Sequence, residues 1–258
     1  VRRGSVDRRL AGKSIIVTGS SRGIGRACAL RCAEAGAQVA VHGRTDSAAL
    51  RETVAAIGAA GGTARAVSGD VSVAADVEHI VAEVLEAFGA IDGLVNNAGV
   101  GPFIDFLEVT EQEWDAVMAV NAKGPFLMTQ RVARSMVEAG RPGRICNVTS
   151  ISGLKATDPQ QVPYCSSKGA ANMFTRVAAL ALGPHGITVN AVLPGTIETD
   201  INRAILARAG VTEGIETATP LGRLGEVDDI GHAVVYLMSD ESKWVTGALL
   251  AVDGGFIA

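Results

Sequence analysis

An apolar run that ends in a glycine loop most constrains how this chain folds. Ser14–Thr18 has the composition of a short buried strand and leads directly into the loop Thr18–Gly25. Within the loop, Gly19, Gly23 and Gly25 follow the spacing G-x-x-x-G-x-G. Glycines between a strand and a helix let the backbone approach a diphosphate, and the helix N-terminus favours the anion. The sequence therefore predicts a dinucleotide-binding turn at one end of a sheet.

Strand-like and helical segments alternate along the whole chain. The predicted strands are Ser14–Thr18, Gln38–Val41, Ala64–Val67, Ile91–Val95, Arg144–Val148, Thr188–Leu193 and Ala248–Val252. The predicted helices are Arg26–Ala35, Ser47–Ala60, Ala74–Phe88, Glu111–Val137, Pro163–Leu182 and Asp228–Met238. Apolar strands between helical crossovers indicate a parallel sheet covered on both faces. We predict one α/β domain over residues 13–258 with a doubly wound sheet, after an N-terminal arm, residues 1–12, that could be disordered.

The composition suits a globular domain and disfavours several kinds of partner. Hydrophobic residues make up 48% of the 258 residues and charged residues 19%, so a sizeable core can form. A net charge of −4 disfavours nucleic acid and anionic membranes. The four cysteines, Cys28, Cys32, Cys146 and Cys165, lack zinc-site spacing, so we interpret them as reduced thiols and expect no metal. With no secretory signal and no run as long as a membrane span, we expect a soluble, cytoplasmic protein.

A second motif, Tyr164-Cys165-Ser166-Ser167-Lys168, predicts proton-transfer chemistry. Helix positions i and i+4 share a face, so the Lys168 ammonium would lie beside the Tyr164 phenol. A free phenol titrates near pH ~10, and a neighbouring positive charge favours its ionised form. We therefore expect Lys168 to lower the pKa of Tyr164 and to make it a general acid/base at working pH.

The end of the second strand bears on the choice of cofactor. Gly43 stands where an acidic residue would hydrogen-bond the adenosine ribose and select NAD. Arg44 follows it, and Arg22 lies within the glycine loop. Two guanidiniums near a ribose could hold a 2′-phosphate, so we expect NADP as the preferred cofactor and NAD as a possible one. Arg44 could instead be a solvated surface arginine, and His42 either lines the adenosine pocket or lies on the surface.

These features together resemble the short-chain dehydrogenase/reductase family, from Lys13 to Ile257. The matching motifs are TGSSRGIG at Thr18–Gly25, Asp70-Val71, NNAG at Asn96–Gly99, Asn121, Ser150, Tyr164-x-x-x-Lys168 and Pro194-Gly195. The resemblance implies a single Rossmann-like, doubly wound domain, usually assembled as a homotetramer. It also implies an NAD(P)-dependent oxidoreductase that moves hydride between nicotinamide and a carbinol or carbonyl carbon of a small molecule.

The resemblance further implies which residues form the site. The implied catalytic residues are Ser150 on the reacting oxygen, Tyr164 as acid/base, Lys168 on the nicotinamide ribose and Asn121 on a relay water. The implied cofactor-binding residues are Gly19, Ser21, Arg22, Gly23, Ile24, Gly25, Arg44, Asp70, Val71, Asn97, Ala98, Gly99, Tyr164, Lys168, Pro194, Gly195, Ile197 and Thr199. Asp70 and Val71 would contact adenine, and Ile197 and Thr199 the carboxamide. The implied substrate-binding residues are Ser150, Ser152, Tyr164 and Asn202. Ser150 is preferred to Ser152 as the catalytic serine because Gly153 follows it at the family's spacing.

The segments expected to face the substrate, Gly153–Gln161 and Thr196–Asn202, are mostly polar. A polyol would need several convergent hydrogen-bonding groups of this kind. Gly195–Asn202 and Pro220–Glu226 resemble the family's bacterial aldose 1-dehydrogenases, including those that act on glucose and L-rhamnose and form a lactone. We therefore expect a sugar (aldose) 1-dehydrogenase. The alternative is a 3-oxoacyl-carrier-protein reductase, which would need a basic docking patch near the cleft. A non-catalytic dinucleotide-binding regulator is also possible, but the complete serine, tyrosine and lysine set argues against it.

Overall fold

The computed structural model describes residues 8–200 and 202–258 as strands, helices and their connections. The strands are β1 (Ser14–Val17), β2 (Gln38–Gly43), β3 (Thr63–Ser68), β4 (Gly93–Asn96), β5 (Gly143–Val148), β6 (Ile187–Pro194) and β7 (Leu249–Val252). The helices are α1 (Gly23–Glu34), α2 (Ala48–Ala59), α3 (Ala74–Phe88), α4 (Glu111–Met118), α5 (Gly124–Glu138), α6 (Val162–Leu182), α7 (Arg203–Leu206), α8 (Val211–Ala218) and α9 (Val227–Met238). None of these helices is long and apolar enough to cross a bilayer.

The N-terminal arm expected over residues 1–12 falls partly outside the described residues, which begin at Arg8. Leu10 is fully buried, and its N–H donates to the Ala35 carbonyl over 2.9 Å. The chain therefore joins the core before residue 13.

The strands form one sheet in the order β3-β2-β1-β4-β5-β6-β7, and every pair is parallel. The direction in which successive strands are added reverses between β1 and β4. Strands β2 and β3 lie on one side of β1, and strands β4 to β7 lie on the other. This is the doubly wound α/β architecture that the sequence predicts. In such sheets, ligands bind beyond the carboxyl ends of the strands at the point where the order reverses.

Both faces of the sheet are buried, which explains the continuous apolar strands. In β1, Ile15 and Val17 pack in a cluster with α1, α2 and α9. Ile16 points to the opposite face and packs with α3, α5 and α6. Alternate strand residues face opposite sides, so a strand between two helical layers needs apolar residues at every position.

The helix predicted over Glu111–Val137 is helical throughout, but its hydrogen-bonding pattern changes part-way. A π-helical turn, Ala119–Lys123, separates α4 from α5, and the Gly124 N–H donates to the carbonyl of Ala119. Pro125 explains the change, because it has no N–H to donate to the Asn121 carbonyl one α-helical turn earlier. The widened turn lies in the segment that carries the predicted catalytic Asn121.

Candidate active site

A cavity of about 1310 Å³ opens at the carboxyl ends of the strands, around the reversal point between β1 and β4. It extends from the glycine loop to α7, α8 and the C-terminal Phe256. Every residue predicted for the site except Asn121 lines this cavity. The structure therefore brings together motifs that are far apart in the sequence.

The glycine loop has the shape expected of a diphosphate cradle. No side chain caps the N-terminus of α1 at Arg22, so its first N–H groups face the cavity without a side-chain partner. A Cβ on Gly25 would come within 2.3 Å of the Asn97 Nδ2 atom and still closer to the Gly19 carbonyl oxygen. Only a residue without a side chain fits there, so the loop and the helix N-terminus suit a dinucleotide diphosphate.

The adenosine end of the cavity carries the two predicted arginines. Arg22 lies 3.7 Å from Asp200 in an exposed ion pair, which joins the glycine loop to the segment after β6. The hydrogen bond from the Ser72 hydroxyl is the main cause that lowers the pKa of Asp70, and the positive charge of Arg44 also lowers it. Both guanidiniums are thus at the cofactor end, but Arg22 already has an anionic partner that the sequence did not reveal.

Tyr164 faces the cavity from the first turn of α6, with Ser150 opposite it at the end of β5. Burial raises the pKa of the Tyr164 phenol, and a hydrogen bond with the Ser150 hydroxyl partly lowers it. The Ser150 Oγ also accepts the Ser152 N–H over 3.0 Å, which fixes its direction. Ser150 is therefore the serine placed to share a proton with the phenol.

Lys168 lies beside the Tyr164 ring and is held by the main chain of β5. Its Nζ atom donates to the Val148 carbonyl over 3.0 Å and lies 5.5 Å from the centroid of the Tyr164 ring. Burial lowers the pKa of Lys168 to about 8. Burial of the phenol is the largest influence on the pKa of Tyr164 and raises it, Ser150 supplies the opposing contribution, and the lowering expected from Lys168 stays a prediction.

Asn121 is buried beside the cavity, and its side-chain amide is held by protein groups. Its Oδ1 accepts the Val100 N–H over 2.9 Å, and its Nδ2 donates to the Val100 carbonyl over 2.8 Å. The same Nδ2 donates to the Ser167 hydroxyl over 3.0 Å. The side chain therefore connects the segment after β4 to α6, and any bond to a relay water falls to its main chain.

The predicted substrate contacts are also engaged within the protein. The Ser152 hydroxyl lies 2.8 Å from that of Thr157. The Asn202 side chain accepts the Thr199 N–H over 2.9 Å and donates to the Ile197 carbonyl over 2.9 Å. Asn202 thus shapes the turn after β6, while its place in the substrate site stays a prediction.

His42 is a site residue whose role the sequence left open. It is 2% exposed, at the carboxyl end of β2, where its ring contacts the glycine loop and the turn after β3. The surface interpretation is therefore wrong. Its one sequence signal is a polar residue inside the apolar strand Gln38–Gly43.

Comparison with known families agrees with the fold and the geometry of the site. A short-chain dehydrogenase family model described as enoyl-(acyl carrier protein) reductase matches residues 19–257. The chain belongs to the short-chain dehydrogenase/reductase family. The structural match agrees: this family member has a TM-score of 0.91 to a gluconate 5-dehydrogenase from Burkholderia cenocepacia solved with NADP and tartrate. The two are 35% identical, and the match covers 97% of this chain and 98% of the other.

Curated relatives of this short-chain dehydrogenase include sugar and acyl-carrier enzymes. An L-rhamnose 1-dehydrogenase (NAD(P)(+)) from Azotobacter vinelandii is 44% identical, over 95% of this chain and 97% of the relative. An enzyme of the same name from a Sphingomonas species is 42% identical, over 95% and 96%. A 3-oxoacyl-[acyl-carrier-protein] reductase from Staphylococcus epidermidis is 39% identical, over 94% and 98%. The protein is an NAD(P)-dependent oxidoreductase that acts on a CH–OH group of a small molecule.

The chemistry follows from where the short-chain dehydrogenase places its proton-carrying groups. A bound NAD(P) would supply hydride-transfer chemistry between its nicotinamide ring and the carbinol or carbonyl carbon. The Tyr164 phenolate would take the hydroxyl proton during oxidation, and the phenol would give it back during reduction. Ser150 would hydrogen-bond the reacting oxygen as its charge changes. Lys168, a buried cation at neutral pH, would hold the nicotinamide ribose.

Proposed function

We propose that this enzyme is an aldose 1-dehydrogenase that oxidises the anomeric carbon of a neutral sugar to a lactone. Its catalytic residues are Ser150, Tyr164 and Lys168, with Asn121 positioning the segment beside them. The identities of 44% and 42% to two L-rhamnose 1-dehydrogenases support the substrate class.

The charge of the side chains that line the cavity is the main structural support for a neutral sugar as the substrate. Among the described residues that line it, the cations are Arg22, Arg44 and Lys168, at the cofactor loop and beside the catalytic tyrosine. The other charged side chains that line the cavity, Asp70, Glu113, Asp158 and Asp200, are acidic. A neutral polyol suits such a lining, because carboxylate or phosphate groups would need a cation to pair with them.

The same lining argues against the 3-oxoacyl-carrier-protein reductase alternative. An acidic carrier protein would need basic residues around the cleft to attract it. Asp105 and Glu108, in the exposed segment that follows the cavity-lining Ile104, add negative charge. The basic side chains beside the lining include Lys155, over the Phe256 ring, and Arg203, which is paired with Asp200. The alternative keeps support from the 39% identity to a reductase of that class.

For the cofactor, we propose a preference for NADP with NAD also used. Because Gly43 is the last residue of β2, that position has no carboxylate. Arg44 follows Gly43, and Arg22 lies within the glycine loop. A guanidinium can bind a phosphate through two hydrogen bonds, so these two residues would favour a 2′-phosphate.

A substrate panel with both cofactors tests this function. We expect neutral aldoses such as L-rhamnose and D-glucose to reduce NADP, and NAD more slowly, with a lactone as the product. Gluconate, offered with NADP, is the matched anionic sugar acid. Acetoacetyl thioesters, offered with NADPH, are the matched acyl substrates. Turnover of the thioester without any aldose activity would transfer the assignment to the carrier-protein alternative.

We also propose that the enzyme is a homotetramer. The outer faces of α5 and α6 expose Phe126, Met173, Val177 and Leu180, of which Leu180 is 80% exposed. Phe126 also packs edge-on against Phe174, so the two helices present one apolar surface. Such a patch is typical of a face that another subunit covers.

The double substitution Val177→Glu and Leu180→Glu should convert the tetramer into smaller species, because charges would be buried in the contact. Sedimentation velocity measures this directly. Val73→Glu, at an exposed apolar position before α3, is the control and should leave the mass unchanged. A wild-type chain that sediments as a monomer would exclude the tetramer.

We propose a cytoplasmic location as well. All four cysteines are free, three of them buried, and none forms a disulfide. Unpaired cysteines are usual in reducing compartments.

A further inference from the structure

His42 forms a bridge between two loops that the cofactor would contact. Its Nδ1 accepts the Gly19 N–H over 3.2 Å, within the glycine loop. Its Nε2 lies 3.0 Å from the Gly69 carbonyl, in the turn that continues into Asp70 and Val71. One buried ring thus connects the predicted diphosphate cradle to the predicted adenine contact.

The two partners determine which nitrogen of the ring carries the proton. The Gly69 carbonyl can only accept a hydrogen bond, so the proton must be on Nε2. The Gly19 N–H can only donate, so Nδ1 must present its lone pair. The neutral Nε2–H form of His42 satisfies both partners at once, whereas a protonated ring would direct a second N–H at Gly19.

The main chain around His42 is fixed separately from its side chain. The His42 carbonyl accepts the Ser20 N–H over 2.8 Å, and the His42 N–H donates to the Ser20 hydroxyl over 2.9 Å. The Ser20 hydroxyl donates in turn to the Val17 carbonyl over 2.6 Å. A change of the side chain can therefore disturb the bridge while these backbone contacts hold β2 against the loop.

We propose that His42 is a positioning residue for the adenosine diphosphate half of the cofactor. It holds the glycine loop at Gly19 and the adenine turn at Gly69 at a fixed separation before the dinucleotide binds. It does not contact the substrate and takes no part in proton transfer. Its effect should therefore fall on cofactor affinity and leave the chemical step at Tyr164 unchanged.

The electrostatics of the site agree with this role. Burial lowers the pKa of His42 to about 4, while the hydrogen bond to Gly69 and the charge of Asp70 oppose that shift. Asp70 itself has a lowered pKa, chiefly because of Ser72, and Arg44 contributes to it. His42 thus stays neutral over the physiological range, as its two hydrogen bonds require.

Two substitutions separate positioning from a merely structural role. His42→Phe keeps a ring but removes both hydrogen bonds, leaving the Gly19 N–H and the Gly69 carbonyl without their partner. Unsatisfied buried groups of this kind should weaken NADP and NAD binding by about tenfold in isothermal titration calorimetry. His42→Gln retains one acceptor and one donor and should restore most of the affinity. His79→Asn, at an exposed histidine on α3, is the control and should bind as the wild type does.

A pH series gives a readout that lost stability alone would not produce. NAD is the probe, because it lacks the 2′-phosphate that would titrate in the same range. Wild-type affinity should be unaffected near the ordinary histidine value of 6.5 and should fall only as the pH approaches about 4, where the ring gains its second proton. The His42→Gln protein should show no such fall. If the His42→Phe chain does not fold, the pH comparison of the wild type with His42→Gln is sufficient to test the proposal.

Unchanged affinity in His42→Phe would overturn the proposal. A wild-type pH response that His42→Gln shares would overturn it too, and so would a loss of kcat at saturating cofactor without a change in affinity. Because binding is measured without substrate, failure of the aldose assignment would leave these results unaffected.

Discussion

Replacing Tyr164 by Phe should lower kcat for aldose oxidation by about 10²- to 10⁴-fold, the usual contribution of a general acid/base. The phenylalanine ring fills the same space beside Lys168, so NADP affinity should stay within about twofold of the wild-type value. Steady-state kinetics and calorimetric titration of NADP measure the two quantities separately.

The pH dependence gives a second readout of the same residue. Burial raises the pKa of Tyr164, so the phenolate fraction, and with it the oxidation rate of the wild type, should grow as the pH rises. The Tyr164→Phe protein should lose that increase. The other tyrosine, Tyr236 on α9, supplies a matched control, and Tyr236→Phe should keep both the rate and its pH dependence. Full activity of the Tyr164→Phe protein would remove the acid/base from the mechanism.

A methyl group at Gly25 should abolish useful cofactor binding. The added Cβ of Gly25→Ala would lie 2.3 Å from Asn97 Nδ2 and 2.8 Å from the Gly19 carbonyl carbon, so the loop must move. Such overpacking destabilises a protein by about 1–3 kcal/mol. A displacement of about 1 Å in a binding loop can weaken function by about 10²-fold. We therefore expect a Kd for NADP at least about 10²-fold higher, measured by titration calorimetry, with a lowered Tm.

Gly58→Ala is the control for this substitution. Gly58 lies inside α2, and a Cβ there would have no atom within 4 Å. Alanine in a helix interior is favoured over glycine by about 0.5–1 kcal/mol, so this variant should bind NADP normally and unfold at an equal or higher temperature. Normal NADP binding by Gly25→Ala would show that the glycine loop is not the diphosphate cradle.

The sequence predicted the sheet and its ligand-binding edge because those features are local. The run Ser14–Thr18 followed by Gly19 and Gly25 contains the strand, the turn and the start of the helix within one short segment. Burial on both faces leaves a continuous apolar pattern that a single sequence reveals. The comparison with relatives confirmed the family that the combined motifs indicated.

Features that depend on packing between distant segments could not be read in the same way. The direction of the Tyr164 pKa shift depends on the burial of the phenol and on Ser150, and the i,i+4 spacing of Lys168 carries no information about either. The ion pair between Arg22 and Asp200 and the His42 bridge each join residues separated by at least one element of the fold. The π-helical turn had a local signal in Pro125, but a proline can kink, end or widen a helix, and only the structure shows that the turn widens.

The most direct test of the account is to follow the hydrogen on the anomeric carbon. With an active aldose deuterated at C1, mass spectrometry of the recovered NADPH should find the deuterium on the nicotinamide. The wild type should also oxidise the deuterated sugar more slowly than the ordinary one, while the proton on the sugar hydroxyl passes to solvent through Tyr164. Deuterium that appears in water and not in NADPH would contradict hydride transfer at this site.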